Sequence, residues 1–236
     1  MQVKILFDKR AINNKLHVGW GISFLVDSKI LFDTGENGKL LVDNIKQLGL
    51  SIDDLEAVAI SHDHWDHTGG LWQILKRKRL RVYGCSSFSS QLKNRIKGLG
   101  SEFIDINKFI EIYKDIYLSG EISGSYAGGN IVEQAVVIKT NKGISVLTGC
   151  SHPGIVKIIE TIRNKFPKDN LYLVAGGFHM VHHDAIMIEH AIKQLKTIGI
   201  NKIGPTHCTG KKAEDLFRKK FKENFIEIKV GQALEI

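Results

Sequence analysis

The chain has 236 residues, 43% of them hydrophobic and 25% charged, which is enough apolar material for one large domain or two small ones around a buried core. No apolar run approaches the roughly 18 residues of a membrane span, and Cys85, Cys150 and Cys208 are too few and too scattered for a disulfide scaffold or a Cys-x-x-Cys zinc knuckle. The net charge of +8 reads as solvated helix faces, with runs at Lys76-Arg77-Lys78-Arg79 and Arg218-Lys219-Lys220; its sharper reading is an anionic substrate. No basic strand interleaved with aromatics is present, so nucleic acid is not the expected partner.

In chain order, Gln2–Phe7 reads as a strand rather than a leader, and further strands are expected over 21–27, 29–33 and 57–60. Helical spacing follows at Leu40, Leu41, Asn44, Ile45 and Leu48, ended by Gly49. It returns at Leu71 to Leu75 and at Phe88, Leu92, Arg95 and Ile96. Strands are expected near 80–83, 109–112, 115–119, 134–140, 143–148, 171–175 and 225–230. Between them, Ile155, Ile158, Ile159 and Ile162 mark one helix, and Ile186, His190, Ile192 and Leu195 another. Leu216, Phe217 and Phe221 mark the last. The glycine-rich stretch Gly124 to Gly129 reads as a mobile loop that could act as a lid. No linker divides the chain, so a single domain over 1–236 is expected. Strand pairs early and late with helices between them suit two sheets packed face to face with helices outside.

The stretch Ser61-His62-Asp63-His64-Trp65-Asp66-His67 stands out chemically. Three imidazoles and two carboxylates follow an apolar run, where histidine and aspartate make poor strand residues and carboxylates are seldom buried unless paired or metal-bound. Neutral imidazole and carboxylate are ordinary ligands for zinc, manganese or iron. Residues i and i+2 of an extended turn project together, which would separate His62 and His64 from their neighbours. Gly176-Gly177 beside His179 suggests close approach of backbone to a ligand. His179 then contacts substrate or donates a proton, or else is itself a metal ligand. His190 sits at helical spacing and reads as structural, and His182 and His183 read as exposed.

His62-x-His64-x-Asp66-His67 resembles the metal-binding motif of the metallo-β-lactamase superfamily. The match extends to Ile30-Leu31-Phe32-Asp33-Thr34-Gly35, Leu147-Thr148-Gly149-Cys150-Ser151-His152-Pro153-Gly154, Ala175-Gly176-Gly177-Phe178-His179 and Pro205-Thr206-His207-Cys208-Thr209-Gly210. These segments are similar to the branch named for 7,8-dihydropterin-6-methyl-4-(β-D-ribofuranosyl)aminobenzene 5′-phosphate synthase. The resemblance implies an α/β fold, the four-layer αββα sandwich of the metallo-β-lactamase type, while the three scattered cysteines and the strand-like start of the chain lead us to expect the cytoplasm. It implies two divalent metal ions, zinc first, with manganese or iron in its place as further possibilities. His62, His64 and His152 would hold one ion, and Asp66, His67 and His207 the other, with Asp33 bracing a ligating imidazole from behind. Many members carry a bridging aspartate where this chain has Cys150. Cys150 reads either as a bridging thiolate or as an inert small hydrophobe, with the inert reading favoured.

The activity implied is hydrolysis of an anionic small molecule, a phosphate ester, by water activated at the two metals. Asp66 and His179 are the catalytic side chains of this reading, and His179 also its substrate contact. A synthase that expels pyrophosphate would use the same metals. The same ligand set would also serve a di-iron redox enzyme or a non-catalytic metal sensor.

Overall fold

The computed structural model describes residues 1–236. The fold is mixed α/β, with two large sheets and helices. The chain forms two compact units, one of residues 1–107 with 229–235 and one of residues 108–228 with 236.

In the first unit, β1 (Gln2–Phe7), β2 (Ser23–Val26), β3 (Ile30–Phe32), β4 (Ala57–Ala59), β5 (Arg81–Cys85) and β6 (Glu102–Ile106) lie in chain order, with the late strand Ala233–Glu235 beside β1. The first three strands pair antiparallel, and β3 through β6 run parallel. Parallel neighbours need crossovers. Here these are α1 (Gly38–Gln47), the short α2 (Trp65–Thr68) with α3 (Leu71–Leu75), and α4 (Ser90–Gly98). In α1 the Asn37 side chain accepts from the N–H groups of Lys39 and Leu40, a normal N-cap, and Leu41, Val42 and Ile45 form its buried stripe. Every residue of β2, β3 and β4 is buried, as expected of central strands with both faces covered.

In the second unit, β7 (Ile110–Tyr113) and β8 (Ile116–Leu118) precede a separate hairpin of β9 (Ile122–Tyr126) and β10 (Gly129–Glu133). Then come β11 (Val136–Thr140), β12 (Gly143–Thr148), β13 (Leu171–Gly177) and β14 (Ile200–Thr206). The large sheet has the order β14-β13-β12-β11-β8-β7. Strands β12, β13 and β14 are parallel and are joined by α5 (Ile155–Arg163) and α6 (Ala185–Ile198), with α7 (Lys211–Phe221) after β14. Ile155, Ile158, Ile159 and Ile162 of α5 pack with Val146, Val174, Ile192 and Phe217 in one core.

Several segments differ from the sequence expectation, which had no strand at β6 (Glu102–Ile106) or at Ala233–Glu235. The glycine-rich stretch is the regular β9–β10 hairpin, in which Tyr126 pairs with Gly129 across a two-residue turn. Ala127 and Gly128 in that turn have φ of 49° and 79°, the left-handed pair such turns require. The expected strand over 225–230 is irregular, with isolated bridges at Phe225 and Val230 only. Strand β14 was hidden by Gly204-Pro205. The structure places it at the sheet edge, where proline is tolerated.

Parallel strands end together. Phe32 lies beside Ala59, and Thr148, Gly176 and Pro205 stand in one row. The residues that follow are therefore delivered side by side within each unit, beyond the carboxyl ends of the strands, where open α/β sheets place their ligands.

Candidate metal centre

In the first unit Asp33 follows β3 and Ser61 follows β4. Asp33 N–H donates to Ala59 O at 2.9 Å, and a left-handed φ of 56° turns the residue. Its carboxylate accepts from Ser61 N–H and from the Ser61 hydroxyl, both at 2.7 Å. The same carboxylate lies 2.7 Å from His67 Nδ1, and Ser61 Oγ lies 2.8 Å from His62 Nδ1. One buried carboxylate thus holds two imidazoles, one directly and one through a hydroxyl. Burial pushes the Asp33 carboxyl up, against the opposing pull of His67 and Ser61.

The outward atoms of this loop fall into two pairs. His62 Nε2 is 3.1 Å from His64 Nδ1, and Asp66 Oδ2 is 3.5 Å from His67 Nε2. Two donors on one tetrahedral ion, each at about 2.0–2.1 Å, stand about 3.3 Å apart. The donor types and spacings fit a divalent metal. Strand alternation does not produce this sorting. His64 is the residue before α2, and Asp66 and His67 lie within its single turn, so the chain changes direction between the two pairs. Asp63 takes no part in either pair. Its carboxylate accepts from Ser89 N–H at 3.1 Å.

In the second unit the organising residue is Glu133, at the end of β10. Its carboxylate accepts from the successive N–H groups of Cys150, Ser151 and His152 at 2.8, 2.7 and 2.9 Å, and it lies 3.1 Å from His152 Nδ1. Burial works against the charge, but His152 and the backbone donors outweigh it and hold the Glu133 carboxyl below its ordinary value. The ligand atoms of Cys150, His152 and His179 all lie within 4.8 Å of one another. The rings of His152 and His179 are 4.4 Å apart, and Tyr126 meets them edge-on at 4.9 and 5.7 Å. Cys208 donates through sulfur to Cys150 O at 3.5 Å. Burial raises the Cys208 thiol, yet Cys150, His179 and His207 together bring it well below the usual thiol range. His207 itself is buried in the turn just after β14.

Glu133 is the residue that sequence reasoning missed. Its signal was a lone acid in the otherwise uncharged run Ile131 to Val137, where a buried carboxylate must find partners. Two further expectations change. A Cβ on Gly177 would lie 2.4 Å from Gly149 O and 2.7 Å from Cys208 Sγ, so that glycine serves close approach of chain to chain rather than to a ligand. His190 is exposed rather than packed in the core, and it lines a cavity with His183. Asp33, Ser151, His179 and His207 all hold a left-handed backbone, costly for non-glycine residues and concentrated where function resides.

The sequence model of the metallo-beta-lactamase superfamily matches residues 23–207. The chain belongs to the metallo-β-lactamase superfamily. Among relatives of this metallo-β-lactamase-fold protein, one from Methanocaldococcus jannaschii is 30% identical, over 91% of this chain and 89% of the relative. That relative is named 7,8-dihydropterin-6-methyl-4-(beta-D-ribofuranosyl)-aminobenzene-5'-phosphate synthase. A crystal structure described as Tm1679, a metal-dependent hydrolase of the beta-lactamase superfamily, superposes with a TM-score of 0.85 at 29% identity, covering 100% of this chain and 99% of that one. The metallo-beta-lactamase fold protein YhfI from Bacillus subtilis reaches 0.69 at 16% identity over 99% of both chains, a likeness of fold alone. No helix is long and apolar enough to cross a membrane.

Proposed function

We propose that this metallo-β-lactamase-fold protein is a metal-dependent hydrolase with a two-metal centre, acting on a small anionic molecule, a phosphate ester. The observation that carries this reading is the bracing of imidazoles by buried carboxylates: His67 by Asp33, His62 through Ser61, and His152 by Glu133. Ligating histidines are held in this way, with Nδ1 engaged and Nε2 fixed as a neutral donor. Two buried carboxylates would be costly if they served no such role.

In this reading His62, His64 and His152 hold one ion, and Asp66, His67 and His207 the other. Family membership supports it, since the match runs through all six positions. Imidazole and carboxylate suit zinc first, and manganese and iron after it. Divalent ions held there would supply Lewis acidity and bring the pKa of water toward neutral. Asp66 accepts a hydrogen bond from the attacking water and orients it. His179 protonates the departing oxygen.

In a second reading the same metals serve a synthase that expels pyrophosphate; the 30% identical relative and its name support the synthase part of it. Elemental mass spectrometry on protein purified without added metal tests the centre. About two zinc or manganese ions per chain are expected; a single ion or none sinks the two-metal reading, and iron as the main metal turns it toward redox chemistry. Phosphate release from p-nitrophenyl phosphate, with no second substrate, separates hydrolase from synthase. Asp66→Asn should lower that rate by about a hundredfold or more.

A further inference from the structure

We infer that the cavity of about 540 Å³ walled by the first turns of α5 and α6 seats an uncharged, apolar part of the substrate, one or two rings in size. The inference rests on the hydrolase reading in one respect, that the reacting group lies against His152 and His179, which form one side of this cavity.

The chemistry of the lining carries the argument. None of its residues is lysine, arginine, aspartate or glutamate, although the chain as a whole has a net charge of +8. This space therefore has no cation of its own to recruit a phosphate, and the anionic end of a substrate belongs at its histidine side. Its apolar walls include Ile155, Val156, Phe178, Met180, Ile186 and Met187.

Helix α6 already has a core face in Ile188, Ile192 and Leu195. Ile186 and Met187 lie outside it, 79% and 52% exposed. A single exposed apolar side chain needs no explanation. Two adjacent ones on the wall of a concave space next to a histidine cluster fit a ligand site, where apolar walls supply affinity and a few polar groups fix orientation. Methionine suits such a wall because its side chain adapts to shape. Besides His152 and His179, the polar groups present are Ser125, Ser151, His183 and His190, none of them a carboxylate.

Binding of three probes by titration calorimetry tests this without relying on turnover: methylphosphonate, 1-naphthylphosphonate and 2-naphthol, on the native protein and on the uncharged variants Ile186→Asn and Met187→Asn. Neither residue belongs to the catalytic machinery. Naphthylphosphonate should bind at least about tenfold tighter than methylphosphonate. Both substitutions should remove that preference and leave methylphosphonate affinity unchanged. If 2-naphthol alone binds, and does so only with Ile186 and Met187 intact, the apolar seat stands and the phosphate ester reading falls. Equal affinity for the two phosphonates, a preference that survives both substitutions, or no binding of any probe would overturn the inference.

Discussion

At Glu133 one carboxylate fixes a loop and a ring together, since it accepts from three consecutive N–H groups and meets His152 Nδ1. Glu133→Gln would turn an amide NH2 against donors that need an acceptor. Thermal melting should show a loss of about 1–3 kcal/mol, and competition with a chromophoric chelator should show metal affinity lower by about 10–100-fold. A variant that melts and binds metal like the native chain would remove Glu133 from the account. The contrast with His62 to His67 shows what a sequence can reveal at this scale. Histidines and aspartates packed into one short loop announce their chemistry by type alone. Glu133 acquires its meaning only when β10 brings it to residues 150–152, seventeen to nineteen positions along the chain, and no local pattern records that meeting.

Among the elements, α5 was legible because Ile155, Ile158, Ile159 and Ile162 repeat at helical spacing and are all buried. Ile158→Ala should cost about 2–5 kcal/mol in chemical denaturation through the cavity it leaves. Metal content per folded chain should stay unchanged, because the helix supports the unit's core rather than the ligand loops. A loss of metal at full stability would contradict that division. The β9–β10 hairpin was not legible. Its glycines and serines erase the alternation that marks a strand, and its defining feature is a turn geometry rather than a composition. Pro205 misled in the same way, since a residue that argues against a central strand is permitted at an edge.

For the molecule as a whole, the alternation of strands and helices was enough to read an α/β fold, and the candidate ligands could be seen to follow strands. The pairing order of those strands could not be read, because it depends on contacts between segments far apart in sequence. Metal that binds only the folded chain must stabilise it, by about 4 kcal/mol at a thousand times the dissociation constant. Dialysis against EDTA should therefore lower the melting temperature, and added zinc should restore it. A melting curve indifferent to both would count against a resident metal. The left-handed backbone of Asp33, Ser151, His179 and His207 bears on how this chain could be improved. At those four positions glycine would relieve a conformational cost that any other residue must bear, yet at Asp33 and Ser151 it would also strip buried hydrogen bonds to Ser61 and Gly177, whose loss costs more. Each such glycine would also give up a side chain that the proposed chemistry uses or leans on, so the bonds those side chains make are what hold the strained angles in place.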